Sequence, residues 1–425
     1  MNQTGSPMHT VLLLLTFLAA TVATPLHAQN VTAHRVQAHV EYLADDAREG
    51  RGVGSEGLDS AAAYIAREFA RLGLTQPWSD GFFQRFEISP TATAALAHTG
   101  LAGASVKNVV GILPGRGKLA GQVIVVGAHY DHLGLGGMGS LDPDSTGVVH
   151  NGADDNGSGA AALIEIARLV RARASGERRT IVFVAFTAEE IGVVGSTHYV
   201  RQPVRPNDST AAMINLDMVG RLRDGKLLAF GTETAPDWDH LLDSLNAEYE
   251  FDLHGSGDGW GRSDHQSFYA VGIPVLHLFT DTHEDYHRVT DDADKINTAG
   301  VARIARFAAD LVWALATRAA RLTYVSLPRP EPIAGGSRAS LGTIPDMTES
   351  PGGVRLTGVR AGTPAETAGI QAGDIITRIG EHEVNDLYAM SRALAAYEPG
   401  DVVTVVVKRG NRMLEFEVTL GRRGG

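Results

Sequence analysis

The sequence predicts an α/β fold: a central mixed, mostly parallel sheet with helices on both faces, followed by a smaller β-rich unit. Three observations carry that prediction. Short apolar runs such as Val123–Val126 and Thr180–Phe186 have the length and composition of strands buried on both faces. Between them lie stretches with apolar residues at helical spacing, the alternation expected of a sheet covered by helices. Finally, Ser326–Ser337 (SLPRPEPIAGGS) places three prolines and two glycines in twelve residues, and the texture changes beyond it.

The elements follow in order. Val11–Ala23 is an apolar run of signal-peptide length, too short to cross a bilayer, and Ala28 before Gln29 offers a cleavage point. Residues 1–28 therefore read as an export signal, which places the protein in a bacterial periplasm or outside the cell with no further membrane span. The stretch before the run holds no Lys or Arg, only the amino terminus and His9, so an uncleaved anchor is the alternative. Val31–Leu74 reads as helical: Ala61, Tyr64, Ile65, Phe69 and Leu72 share one face, and Gly73 suits a C-cap. Strands are expected at Asn108–Leu113, Val123–His129, Thr180–Phe186, Met213–Asp217, Leu227–Gly231 and Ile273–Phe279, with helices at Gly159–Ala172 and Trp238–Glu248. These make one domain over 29–325, a linker over 326–337 and a second domain over 338–425, with strands at Val354–Val359 and Val402–Lys408 around a helix at Leu387–Ala396. Two or three units suit a chain of 425 residues at about 150 residues per domain.

Composition excludes several functions. The formal charge of −12 argues against nucleic acid and anionic membranes, which need clustered Lys and Arg. Cysteine is absent, so there are no disulfides, no thiolate zinc sites and no thiol nucleophile; a transition metal must be held by His and carboxylate.

Five segments supply such groups where strands end or the next loop opens: GAHYDH, NGADDNGSG, FTAEE, NLDMVG and DYHRVTDD. They offer His129, Asp155, Glu189, Glu190, Asp217 and His287, enough for two divalent metals with one carboxylate to spare. Asp131, two residues after His129, can accept the imidazole's other N–H and fix its tautomer. His132 is expected to face solvent. Asp155 sits where Gly157-Ser158-Gly159 turns into a helix, a rigid place for a carboxylate shared between two metals; an N-cap without chemistry is the plain alternative. Of the adjacent pair Glu189 and Glu190, one can bind metal while the other takes a proton from water.

Other matches carry less. His283-Glu284-Asp285-Tyr286-His287 fits H-E-x-x-H, but its polar, turn-like flanks deny it the helix that pattern requires. Gly52–Gly57 and Gly134–Gly139 fit G-x-G-x-x-G yet do not join a strand to a helix, and read as flexible loops.

The order HYDH, DDNGSGAA, TAEE, NLDMVG, GRSDHQSF and YHRVTDDADKI resembles the co-catalytic dizinc aminopeptidases of the secreted bacterial leucyl aminopeptidase and aminopeptidase Y type, from about Val31 to Ala319. The resemblance implies a zinc exopeptidase fold, hydrolysis of the N-terminal residue from peptides with a free N-terminus, and two Zn2+ ions, with Co2+ or Mn2+ also accepted. It makes Asp155 the bridge, puts His129 and Asp217 on one zinc and Glu190 and His287 on the other, and makes Glu189 the general base. It further implies Asp131 as partner of His129, Tyr286 as a donor to the oxyanion, and Arg262 as a substrate contact. A carboxypeptidase or glutaminyl cyclase on the same fold, and an inactive scaffold acting through its second domain, are the alternatives. Residues 338–425 resemble a periplasmic PDZ module, which implies an extended peptide or C-terminal ligand added as a strand, with Leu341, Gly342, Thr343 and Ile344 as the carboxylate loop. That loop departs from the usual form, and a structural appendage is the other reading.

Overall fold

The computed structural model describes residues 1, 25–92, 100–173, 175–261, 263–329, 338–348 and 350–422. The apolar run Val11–Ala23 lies outside these residues. No helix among the described residues is long and apolar enough to cross a membrane.

The first helix, α1 (Pro25–Leu43), starts upstream of the cleavage point expected after Ala28. The helical stretch expected over Val31–Leu74 is broken in two, because Glu49, Gly50 and Arg51 all adopt positive φ. Gly50 is required there: a Cβ would lie 2.3 Å from the Gly134 carbonyl oxygen. The chain resumes as α2 (Glu56–Arg71), whose first turn is capped by the Ser55 hydroxyl accepting from the Leu58 amide at 3.0 Å.

Eight strands follow with their helices: β1 (Phe83–Glu87), β2 (Ser105–Leu113), β3 (Val123–His129), α3 (Gly159–Ala172), β4 (Thr180–Phe186), α4 (Val194–Arg201), β5 (Thr210–Leu216), β6 (Lys226–Phe230), α5 (Asp237–Tyr249), β7 (Asp252–Ser256), α6 (His265–Tyr269), β8 (Val275–Phe279) and α7 (Thr298–Thr317). They form one sheet of order β1-β2-β4-β3-β5-β8-β6-β7. The central four, β4-β3-β5-β8, run parallel, and β2 and β6 join them antiparallel. Every residue of β3, β4 and β5 is buried. Alternate side chains enter two cores: Ile124, Val126, Ile181 and Phe183 face the layer containing α1, α2, α3, α5 and α7. Val123, Val125, Val182 and Val184 face Tyr199 of α4 and Phe268 of α6.

The second unit comprises β9 (Ala339–Ser340), β10 (Thr343–Pro345), β11 (Val354–Val359), α8 (Pro364–Ala368), β12 (Ile375–Ile379), β13 (His382–Glu383), α9 (Leu387–Ala395), β14 (Val402–Arg409), β15 (Arg412–Thr419) and β16 (Gly421–Arg422). Its sheet runs β10-β11-β12-β14-β15 around a separate core that includes Leu341, Leu356, Ile376, Val405 and Val418. Leu341 is buried in that core, Gly342 turns the chain at φ +79° against Thr363, and Thr343 and Ile344 lie on β10. β10 pairs with β11 and is otherwise an edge of the sheet among the described residues.

Candidate metal centre

The parallel strands point their carboxyl ends the same way, and in such sheets the crevice beyond those ends is where ligands collect. β3 ends on His129; the loop after β4 carries Glu189 and Glu190; Asp217 follows β5; the loop after β8 carries Tyr286 and His287. Asp155 enters from the wide turn Ala153–Ser158 that leads into α3.

The turn is fixed from several sides. Asp291 accepts the backbone N–H groups of Asp154 and Asp155 at 2.9 and 3.1 Å, and the Asn156 side chain donates to the Leu216 carbonyl at 2.9 Å. As a result one oxygen of Asp155 lies 3.4 Å from His129 Nε2 and the other 3.1 Å from His287 Nε2. His129 Nε2 is 3.3 Å from Asp217, and His287 Nε2 is 3.2 Å from Glu190. Two donor groups thus share one carboxylate.

These spacings test the fit to metal. Bonds of about 2.0 Å in a tetrahedron put neighbouring donors about 3.3 Å apart, and the four separations just given fall around that value. The imidazoles are also held in the required tautomer. His129 Nδ1 is 3.2 Å from the Asp131 carbonyl and His287 Nδ1 is 2.7 Å from the Gly139 carbonyl, so each ring donates backward and presents Nε2 to the carboxylates. His129, Asp155 and Asp217 form one group that could hold a metal ion and His132, Asp155 and Glu190 another, with His287 at comparable spacing from Asp155 and Glu190.

The electrostatics agree. Burial disfavours charge on Asp155, yet the hydrogen bonds from His129 and His287 hold it well below the ordinary carboxylate range. Glu190 is likewise buried and drawn down to about 2, chiefly by His287, with His132 assisting. Glu189 is different: burial, with Glu190, Asp264 and Asp217 nearby, pushes its carboxyl well above the usual range. Its carboxylate enters no ion pair or hydrogen bond among the described residues.

Asp131 departs from its expected part. Its carboxylate oxygen is 3.8 Å from His129 Nδ1, which lies closer to the Asp131 carbonyl, and the carboxylate instead accepts the backbone amides of Glu189 and Glu190 at 3.1 and 3.3 Å. It therefore orients the acidic pair as well as the histidine. Tyr286 stacks on His287 with ring centroids 3.9 Å apart. Arg262 lies outside the described residues.

Two expectations are corrected. His132 does not face solvent: it is 1% exposed, and its Nδ1 is 2.8 Å from Glu190 and 3.8 Å from Asp155. Gly152 makes room for its ring, since a Cβ there would meet ring carbons at 2.4 Å. Nor are the two glycine-rich loops loose. They lock together through Gly134 N to Gly50 O at 3.1 Å and His132 N to Arg51 O at 3.2 Å, and Gly139 holds His287. His283, the other histidine of HEDYH, bonds Asp154 at 3.0 Å away from the donor groups, and its segment is not helical.

Other supporting residues lie in recognisable segments whose duties only the structure gives. Ser263 donates to Asp217 at 2.7 Å and receives from Asn215 at 2.8 Å. Asp264 is fully buried, and burial raises its carboxyl to about 7. Arg51 is fully buried and donates to the carbonyls of Tyr130, Leu43, Asn151 and Gly152, each at 2.7 Å, tying the amino-terminal segment to both the His129 and Asp155 loops. The nearby GRSDHQSF and AREGRGVG motifs mark these residues without stating their duties.

Paired His-carboxylate groups that could hold metal thus sit at the carboxyl edge of a mixed sheet. Residues 108–312 match the profile of Peptidase family M28, and residues 339–420 match that of a PDZ domain: the chain carries an M28 peptidase domain followed by a PDZ domain. Among curated proteins it is similar to leupeptin-inactivating enzyme 1 of Streptomyces exfoliatus, 27% identical over 63% of this chain and 52% of that protein. Aminopeptidase YwaD of Bacillus subtilis is 30% identical over 39% of this chain and 34% of its own length. The chain spans about half or less of the length of these relatives. Among solved structures, the zinc aminopeptidase BSAP of Bacillus subtilis superposes with a TM-score of 0.53 at 18% identity, over 68% of this chain and 95% of that one. A Zn-dependent exopeptidase of Parabacteroides distasonis gives 0.55 at 19% identity, over 66% and 97%. These superpositions bear on the fold.

Proposed function

We propose that the protein is an exported metallo-exopeptidase that removes the N-terminal residue from peptides at a dinuclear zinc site. The observation that carries this reading is the shared carboxylate: Asp155 faces His129 and Asp217 on one side and His287 and Glu190 on the other, at metal-donor spacing. The M28 profile and the names of the relatives support the same reaction class.

When bound, the two ions would act as Lewis acids on water and on the scissile carbonyl, bringing the water's pKa from about 15.7 toward 7. The chain's own residues supply the rest. Asp155, Asp217, Glu190, His129 and His287 would hold the ions. Glu189, whose carboxyl burial pushes well above the usual range and which is left without an ion-pair partner among the described residues, takes the proton of the attacking water and returns it to the leaving amine. Asp131 orients Glu189 through its backbone N–H. Tyr286, whose ring stacks on His287, would donate its hydroxyl to the developing oxyanion. The surplus of carboxylates favours a substrate that brings an ammonium group, which a free N-terminus does and an N-blocked peptide does not.

Metal analysis and one substitution test this. The reading expects two zincs per chain, and a Glu189→Gln protein that keeps both while its turnover falls by ~10³ or more. Retained turnover in that variant removes Glu189 as the base, and equal cleavage of N-blocked peptides removes the assignment to N-terminal residues.

A further inference from the structure

The PDZ domain is fastened to the loop that carries Tyr286 and His287. Lys226 Nζ lies 2.7 Å from Asp281 of that loop and 2.6 Å from Asp346, the residue after β10. The Met347 amide donates to Asp281 Oδ1 at 3.2 Å, and the Thr282 hydroxyl donates to the Pro345 carbonyl at 3.0 Å. On the other side of the domain the Tyr388 hydroxyl, in α9, donates to the Trp260 carbonyl at 3.2 Å. Asp281 is 1% exposed, so this is a buried junction.

Those contacts deliver the Met347 side chain to a small apolar cluster formed by Met218, Leu228 and Phe279, with Phe230 and Tyr286 packed alongside. The cluster adjoins the metal centre through the chain itself: Met218 follows Asp217 and Tyr286 precedes His287. With Met347 in place, Met218, Leu228 and Phe279 are 4%, 1% and 7% exposed. Next to Leu228 and Phe230 a cavity of about 270 Å³ opens, to whose lining Thr348 of the PDZ domain also contributes.

We propose that the PDZ domain completes the pocket for the side chain of the residue being removed, with Met347 as its specificity-determining wall. This rests on the exopeptidase reading above. An N-terminal residue whose amine and carbonyl lie at the two donor groups must turn its side chain toward a neighbouring wall, and Met218 and Tyr286, chain neighbours of Asp217 and His287, belong to the apolar cluster that Met347 covers. Met347 occupies part of it, so the second domain limits the size of side chain accepted.

The test compares kcat/KM for alanyl, leucyl and phenylalanyl anilides in the full-length zinc-loaded protein and in Met347→Ala, Met347→Leu and Met347→Phe. Shortening the side chain is expected to raise the leucyl-to-alanyl ratio by about tenfold, the discrimination a few methylenes produce in an apolar pocket. Met347→Phe is expected to lower the ratio, and the volume-conserving Met347→Leu to leave it near the parent value. Zinc content should be unchanged in all three. Ratios within twofold of the parent in both the Ala and Phe variants overturn the pocket assignment while leaving the exopeptidase reading intact. Failure of the parent protein to cleave any free-amine anilide overturns the exopeptidase reading itself.

Discussion

Replacing Arg51 by methionine removes a side chain that ties α1, the β3 loop and the Asp155 turn together. Four hydrogen bonds from a charged donor are lost, each at 2.7 Å. At about 1.5–3 kcal/mol per bond to a charged group, the gross loss is about 6–12 kcal/mol. Against it stands the cost of keeping the charge buried: burial lowers the guanidinium from 12.5 to about 10 despite Asp131, Asp155, Asp291 and Glu190 nearby. At about 1.4 kcal/mol per pKa unit that cost is about 3 kcal/mol, and methionine does not incur it. The remainder is at least ~3 kcal/mol, in line with the ~3–5 kcal/mol typical when one partner of a buried charged network is deleted. We expect a loss of about 4 kcal/mol, seen as a lower urea midpoint at unchanged slope, or a Tm lower by ~8–16 °C. The titration is run with chelator present, so that differences in metal binding do not enter. A loss below ~1 kcal/mol would refute the claim that Arg51 holds these segments, and would mean that water replaces it.

The remaining predictions concern the metal centre and the domain junction. His132→Phe fills the space against Gly152 but deletes the 2.8 Å contact to Glu190; zinc affinity should fall by about 10–100-fold in a chelator competition, and an affinity within twofold of the parent argues that His132 is inert. Asp346 is partly buried, yet Lys226 and Thr348 lower its pKa in the fold. A depressed acid stabilises only while ionised, so its contribution is present above the unfolded value of about 3.9 and is lost as pH falls through the lower folded value. Burial disfavours the Lys226 charge, but Asp281 and Asp346 raise its pKa, so its contribution persists until pH rises past about 10.4. Hydrogen-exchange protection of the Met347 amide should therefore be flat between these limits and drop in acid. Asp346→Asn should remove that acid limb; an unchanged limb assigns it elsewhere.

What the sequence made legible follows from burial. β3, β4 and α3 have the bounds expected of them, because a strand buried on both faces is an unbroken apolar run and α3 follows a glycine-marked turn. β1 and β7 were not legible: they are edge strands of mixed exposure with no period to read. The expected Met213–Asp217 strand begins earlier and ends at Leu216, which leaves Asp217 free to turn into the site. The five candidate donors could be picked out because each lies at the end of a buried strand, in the loop after one or in a glycine-marked turn, and the structure brings them together. His132 could not, since the direction of a loop side chain depends on the Gly152 surface it packs against, 20 residues away in sequence. Ser263 and the Gly139 carbonyl reach the centre through tertiary contacts: the GRSDHQSF motif flags the segment of Ser263 but not its bond to Asp217.

Arg51 also bears on where this protein can be cut. The family profile begins at residue 108, yet the carbonyls flanking His129 and Asp155 are held by a residue far upstream of that boundary. At the other end, Arg179 at the start of β4 donates to carbonyls at Leu315 and Arg318, past the profile's last residue, and Leu327 bonds the Tyr269 hydroxyl at 2.6 Å. A fragment trimmed to the recognisable core would keep all five donors and lose the struts that aim them. It would be expected to express as a protein with the right residues and weak, ill-defined metal binding, which is how a truncation artefact can pass for an inactive homologue.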